Sequence, residues 1–384
     1  MTTGTPRLAI GRAIERNLVL ACVLLAAGAQ IGCATSAPPA NDAALRVQLF
    51  QEPALNVVAF GSCIAEDEPQ PILDAVVASG PDLFVFLGDN VYADTEDMSA
   101  MRATYVRQSE QPGIRSLFST TPVMATWDDH DYGRNDAGAE YPMKEEAQEE
   151  FLRFFAVPAS SERRMRNGVY NSHTYGPPGK RVQVVLLDTR FFRSPLERWP
   201  DGARETIGPY RPGSDTTATM LGDAQWRWLA DELREPADIR IIGSSIQVIA
   251  GEHGFESWAN LPHERERLLR LIRETRAGGV VIVSGDRHLA EVSMMPADDA
   301  LGVGYPLYDV TSSSLNRPSR GDGSEPNRYR VHPANYRPEN FGTFEIEWLD
   351  DPIIRMQIRD MDGDIARESI VQLSDLQPPE RPVP

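Results

Sequence analysis

The sequence predicts an α/β fold: two β-sheets packed face to face as a sandwich, flanked by helices on the outer faces, four layers in all. Two observations carry this. From residue 56 to residue 283, short apolar runs alternate with helical patterns, the order of a βαβ chain. Beyond residue 289 the helical patterns stop and the remaining segments read as strands. A two-sheet sandwich takes both halves into one domain, and there is no internal repeat.

The elements follow in order. Asn56–Gly61 (NVVAFG) is a buried strand, Pro71–Ser79 a helix, Asp82–Leu87 (DLFVFL) a strand and Met98–Gln108 a helix. Val123–Trp127 is a strand, Glu145–Phe155 a helix and Val182–Leu187 a strand. Asp223–Arg234 is a helix with Trp226, Trp228 and Leu229 on its apolar side. Ile239–Ile242 is a strand. Pro262–Arg276 is a helix with Leu268, Leu269 and Ile272 at helical spacing, and Val280–Val283 is a strand. Leu289–Met295, Leu307–Thr311, Phe341–Trp348, Ile353–Arg359 and Ala366–Leu373 read as an antiparallel meander; Phe344, Ile346 and Trp348 alternate with polar partners. Asn316–Asn340 is a long polar loop, a length that in a compact domain points to function or disorder.

The chain has 384 residues, 41% hydrophobic and 24% charged, with a formal net charge of -18. That charge argues against a nucleic-acid-binding surface, which is usually basic. Its plain meaning is solubility.

Residues 1–33 have the pattern of a signal peptide: Arg7, Arg12 and Arg16, then an apolar run from Leu18 to Ile31. The run is too short for a comfortable membrane span. Gln30-Ile31-Gly32-Cys33 resembles a lipobox whose cysteine is lipidated, although Gln30 stands where Leu is usual; cleavage near Ala27-Gly28-Ala29 or after Cys33 is the alternative. Export to the periplasm or cell surface, with a lipid anchor as the sole membrane contact, is the expectation. Residues 34–52 read as a flexible tether, 53–376 as the folded domain and 377–384 as a tail. Cys63 is then the one cysteine beyond the leader region, and no disulfide framework is available.

Five polar clusters each follow an apolar strand directly: Gly61-Ser62-Cys63, Gly88-Asp89-Asn90-Val91-Tyr92 with Asp94, Trp127-Asp128-Asp129-His130-Asp131 with Asn135 and Asp136, Asp188-Thr189-Arg190, and Gly285-Asp286-Arg287-His288. Any one alone is a turn, a helix cap, a salt bridge or a core thiol. Together, at strand ends where open α/β sheets bind ligands, they read as a metal site. Carboxylates suit hard cations, imidazole and thiolate suit transition metals, and a phenolate from Tyr92 suits ferric iron. Glycine before Asp89 and Asp286 lets backbone and cation approach closely.

The ordered set GSC, GDNVY, WDDHDYGRND, LDTR and GDRH resembles the alkaline phosphatase D family, within the calcineurin-like metallophosphoesterase superfamily, over residues 55 to 350. The resemblance implies hydrolysis of phosphate mono- or diesters by in-line attack of a metal-bound hydroxide. It implies a binuclear site, Fe(III) with Ca(II) or another divalent metal. Asp89 is then the bridging carboxylate, Cys63 and Tyr92 bind the iron, and Asp286 and His288 complete the two sites. Asp129 or Asn135 supplies a further ligand, since the superfamily's Gly-Asn-His reads Asp128-Asp129-His130 here. His130 is the implied general acid or transition-state stabiliser. The superfamily's first motif, Asp-x-His, is absent, and Cys63 stands in its region.

Further candidates lie outside the motifs. Arg190, Arg317 and Arg320 are candidate phosphate contacts, and the loop Asn316–Asn340 also carries Arg328, Arg330 and Arg337. His253 follows a strand and is a candidate for the pocket wall, whereas His263, at a helix start, is expected to face solvent. The partner is a small-molecule or lipid phosphate ester. Two other readings remain open at this level: a phosphodiesterase for lipid or teichoic-acid-like diesters, and a non-catalytic metal-binding surface lipoprotein.

Overall fold

The computed structural model describes residues 53–380. The leader, Cys33, the whole tether and residues 381–384 of the tail lie outside the described residues. The first half runs β1 (Val57–Gly61), α1 (Ile72–Ala78), β2 (Leu83–Leu87), α2 (Met98–Glu110), α3 (Pro112–Thr120), β3 (Val123–Thr126), α4 (Asp129–Tyr132) and α5 (Lys144–Phe154). The second runs β4 (Asn171–Tyr175), β5 (Val182–Leu186), α6 (Gly222–Glu232), β6 (Ile239–Ser244), α7 (Pro262–Thr275) and β7 (Val280–Ser284). It closes with β8 (Ala290–Met295), β9 (Leu307–Ser312), β10 (Phe341–Glu347), β11 (Ile353–Arg359) and β12 (Ile365–Gln372).

Two six-stranded sheets result, in the orders β12-β11-β10-β1-β2-β3 and β4-β5-β6-β7-β9-β8. The period of two along a strand divides the core. Leu83, Val85 and Leu87 of β2 join the large apolar cluster that contains β5, β6 and β7. Phe84 and Phe86, on the other face, pack with Ile72, Leu73, Met101, Leu117 and Phe151 of the outer helices. Strand β5, VQVVL, is buried at every position, as a parallel strand covered on both faces should be.

Four expectations are corrected. The strands after residue 289 are not one meander. Strands β10–β12 are antiparallel neighbours and join β1, while β8 and β9 enter the other sheet, where β9 runs parallel to β7. No element is expected at Pro112–Thr120, yet it is helical: Pro112 occupies the first turn, and Ile114 and Leu117 are buried. The polar strand Asn171–Tyr175 is likewise unexpected; it has no apolar run because it pairs antiparallel to β5 at the sheet edge. His263 is half-buried, its Nε2 2.7 Å from the carbonyl of Ala218.

What matters for function is strand direction. Strands β1, β2 and β3 are parallel, and so are β5, β6 and β7. The five polar clusters therefore leave the sheets at their carboxyl ends.

Candidate metal centre

The loops after β1 and β2 are joined backbone to backbone: Cys63 N donates to Gly88 O at 3.3 Å and Ile64 N to Asp89 O at 2.9 Å. Asp131 ties in the third loop. Its carboxylate accepts from Asp128 N at 2.7 Å and Asp89 N at 3.2 Å, and from the Asn90 amide. Gly88, at φ +108°, is required by crowding, because a Cβ there would lie 2.4 Å from Asp128 Cβ. At Gly285 it would lie 2.5 Å from Ser62 Oγ. These two glycines make room for a neighbouring loop rather than for a cation.

Eight described non-glycine residues have positive φ, and six of them are Cys63, Asp89, Asp94, Asp136, Asp286 and His288. Backbone strain of this kind gathers where side chains must be aimed. Here it brings distant residues together. Cys63 Sγ lies 3.4 Å from Asp89 Oδ2 and 3.3 Å from Ser313 Oγ. Tyr92 Oη donates to Asp89 Oδ2 at 3.2 Å and lies 3.1 Å from His288 Nε2.

Four groups of side chains have ligand atoms within 4.8 Å of one another: Cys63, Asp89 and His288; Asp89, Asp129 and His130; Asp128, Asp129 and Asp286; and Asp129, Asp136 and Glu256. They share members, so they form one chain of potential ligands. Asp89 joins the first two and Asp129 the last three. Asn135, the rival of Asp129, lies on the same cavity wall, and its backbone N donates to Asp94 Oδ1 at 3.1 Å.

The donor set fits cations. Asp89, Asp128, Asp129 and Glu256 are buried, and Asp128 Oδ2 has no partner. Burial first, then the neighbours Cys63 and Asp129, push Asp89 well above the usual carboxylate range. Burial, Asp128 and Asp129 do the same to Asp286. Burial pushes the Cys63 thiol up to about 12. Groups so crowded become anions together only if positive charge lies among them. Thiol, phenol and imidazole on one side and carboxylates on the other are donors for two kinds of metal.

His130 stands on the cavity wall with Nδ1 2.6 Å from Asp94 Oδ2. Burial opposes its charge, but Asp89 and the bond to Asp94 outweigh it and raise the imidazole to about 10. Asp129 is held at about 2, burial being outweighed by Arg190 and His130.

The cavity over these groups measures about 660 Å³. Asp89, Asp129, His130, Asp286 and His288 line it, with Ile207, Pro209, Tyr210 and Phe255 also on its wall. Arg320, Ser319, Ser324 and Arg337 come from the long loop. Arg287 and Arg337 are both paired with Glu325, at 2.9 and 3.0 Å, whereas Arg320 makes no ion pair among the described residues.

Several expected contacts lie elsewhere. Arg190 is fully buried and off the cavity wall; it binds Asp128 at 2.5 Å and Glu256 at 2.7 Å. Its role here is to hold two carboxylates. Arg317 stacks 4.8 Å from the Tyr92 ring centre and is not among the residues lining the cavity. Arg330 pairs with Glu291 at 2.6 Å, and Arg328 is exposed beside Glu252. His253 is buried, and its Nδ1 accepts from Phe255 N at 3.0 Å, closing a local turn. Asp188 caps its own turn, taking Arg190 N and Phe191 N.

Glu256 and Ser313 belong to the site without any sequence signal. Glu256, from the loop after β6, binds Arg190 and Arg193 and faces Asp129. Ser313 Oγ accepts from His288 N at 2.9 Å beside the Cys63 sulfur. A lone Glu in a loop and a Ser in a Thr-Ser-Ser-Ser run are too common to single out.

Comparison with known proteins agrees with this geometry. The model of a family described as PhoD-like phosphatase matches residues 59–347. Alkaline phosphatase D of Bacillus subtilis (strain 168) is 25% identical over 267 residues, 63% of this chain and 43% of that protein. This chain thus spans less than half of that relative. Among solved structures, one of PhoD aligns over 84% of this chain and 69% of its own, with 16% identity and a TM-score of 0.63. A purple acid phosphatase from yellow lupin (Lupinus luteus) seeds aligns over 84% and 54%, with 14% identity and a TM-score of 0.57. At these identities the two structures support the fold.

Proposed function

This chain belongs to the PhoD-like phosphatase family, and from that premise we propose that it is a metal-dependent phosphoesterase acting on phosphate mono- or diesters. The observation that carries the reading is the run of potential ligands Cys63, Asp89, Tyr92, His288, Asp129 and Asp286 at the carboxyl ends of parallel strands, of which Asp89, Asp129, Asp286 and His288 line one cavity. Cations held there supply Lewis acidity and neutralise charge on the phosphoryl oxygens. Tyr92 and Cys63 support ferric iron as one of them, and the carboxylates Asp129 and Asp286 support a hard divalent cation such as calcium as the other.

The remaining work falls to the chain's own groups. His130, oriented through Nδ1 by Asp94, holds a proton at Nε2 for the departing oxygen. Arg320, unpaired on the wall, binds phosphoryl or ester oxygens as a fork. Arg190 holds Asp128 and Glu256 in place and offsets part of the burial that pushes both carboxyls up. Comparing turnover of a chromogenic phosphate monoester and its bis-ester by the metal-loaded protein tests the reading. Turnover of either supports it, and the faster one names the preference. No turnover of either at full metal occupancy would leave a metal-binding protein without catalysis.

The leader pattern supports export, with lipidation at Cys33 as the membrane anchor. Among the described residues, no helix is long and apolar enough to cross a membrane. Mass spectrometry of the mature N-terminus checks both: an unmodified start at Met1 contradicts export, and a start beyond Cys33 contradicts lipidation.

A further inference from the structure

A second cavity, of about 380 Å³, opens at the other end of the second sheet. Its wall is built where β5, β6 and β7 begin. Arg181 precedes β5, Asp238 precedes β6, Arg240 is the second residue of β6, and Gly278 lies just before β7. The metal centre is built where those same strands end. A six-residue strand separates the two by about 20 Å.

Four arginines line this cavity, Arg181, Arg234, Arg240 and Arg276, against two acids, Glu235 and Asp238. In a chain of net charge -18 that is a local excess of cations. Asp238 is already engaged, its Oδ2 accepting from Arg181 N at 2.8 Å.

Arg240 is the decisive residue. It is 6% exposed, and its guanidinium donates to three backbone carbonyls: Ala237 at 3.1 Å, Gly278 at 2.9 Å and Glu235 at 2.7 Å. Among the described residues no carboxylate pairs with it, and its buried Nε has no partner. Carbonyls satisfy hydrogen bonds but not charge, and Asp238 on the same wall offsets only part of the cost of burying this cation. Burial accordingly lowers its pKa. Arg276, in left-handed backbone at φ 55°, spends one bond on the carbonyl of Pro379 at 2.8 Å. No ion pair forms at Arg181 or Arg276 among the described residues.

We propose that this cavity is an oxyanion site that takes a phosphate group, with Arg240 as its buried anchor and Arg181 and Arg276 as donors at its mouth. Guanidinium forks suit a compact, multiply charged anion. The proposal does not depend on the catalytic reading, because none of these residues touches the metal centre.

The ligand is either free phosphate or the phosphate of an anionic lipid headgroup. Two measurements on the metal-loaded full chain separate them: calorimetric titration with inorganic phosphate, and co-sedimentation with vesicles of phosphatidylglycerol in phosphatidylcholine. Arg181→Gln and Arg276→Gln, both half-buried at the mouth, should each weaken one of the two about tenfold, the loss of one charge-assisted hydrogen bond. Turnover of a chromogenic ester should be unchanged in both variants. Arg240→Gln should abolish the same signal; if it does not fold, the mouth variants still decide. Phosphate and vesicle binding that both survive in Arg181→Gln and Arg276→Gln would overturn the site.

Discussion

The phenol of Tyr92 donates to Asp89 Oδ2 at 3.2 Å, three residues back along the chain, and the thiol of Cys63 reaches the same oxygen at 3.4 Å from another strand. One carboxylate oxygen thus gathers the two side chains whose anions give ferric iron its colour. The iron-loaded protein is expected to absorb in the visible. Tyr92→Phe should remove or shift the band, and Cys63→Ala should lower iron affinity while leaving a phenolate band. An unchanged spectrum in both variants, with iron still bound, would return Cys63 to the role of a core thiol.

The bond from His130 Nδ1 to Asp94 leaves Nε2 as the ring nitrogen that the proposed role requires. His130→Ala should lower kcat by about 10²–10⁴, the usual worth of general acid catalysis. Asp94→Asn should lower it about 10- to 100-fold, as loss of an orienting partner does. It should also move the basic limb of the pH–rate profile to lower pH, because the carboxylate's charge raises the imidazole. A profile of unchanged shape would show that Asp94 acts on structure alone.

Four of the five loop arginines should separate into classes. Arg320→Ala is expected to raise KM more than it lowers kcat, as a contact equal in ground and transition states does. Arg328→Ala and Arg330→Ala should leave both constants unchanged in protein that folds, since their partners are Glu252 and Glu291, away from the metal ligands. Arg317→Ala should alter the spectrum of the iron site through the Tyr92 ring it covers. Steady-state kinetics and absorption of the purified variants check all four.

How much of this was legible depends on whether a residue announces itself locally. Gly88-Asp89 and Asp128-Asp129-His130 are visible because an apolar strand points at each. Ser313 and Glu256 are invisible because only tertiary packing delivers them to the sulfur and to Arg190. Arg190 shows the opposite failure: an arginine after a strand reads as a phosphate contact, and nothing local reveals that Asp128 and Glu256 already bind it. The strand patterns of the last third are readable as strands. Which sheet each joins is set by long-range pairing, such as β1 with β10, and no local pattern encodes it.

Glu264 shows what holds the outer layer. Its carboxylate accepts from Met220 N at 2.7 Å, Trp226 Nε1 at 2.8 Å, Thr219 Oγ1 at 2.8 Å and Arg267 at 3.2 Å, joining α7 to the start of α6. Burial opposes ionisation, but these donors outweigh it and hold the group below the usual carboxylate range. A depressed pKa adds stability above the unfolded-state pKa, and that stability is lost as pH falls through the folded-state pKa. Glu264→Gln should therefore cost about 1–3 kcal/mol at pH 7, with the difference from the parent shrinking in acid. Denaturant unfolding at neutral and acid pH measures it; an equal deficit at both would assign the effect to packing.

The metal-to-protein stoichiometry of an active, natively purified preparation tests the central assignment most directly. Two or more metal ions per chain are expected, iron among them, with Asp89→Asn losing metal and turnover together because Asp89 belongs to two of the ligand groups. Full phosphoesterase turnover in a preparation carrying far less than one metal ion per chain would contradict it.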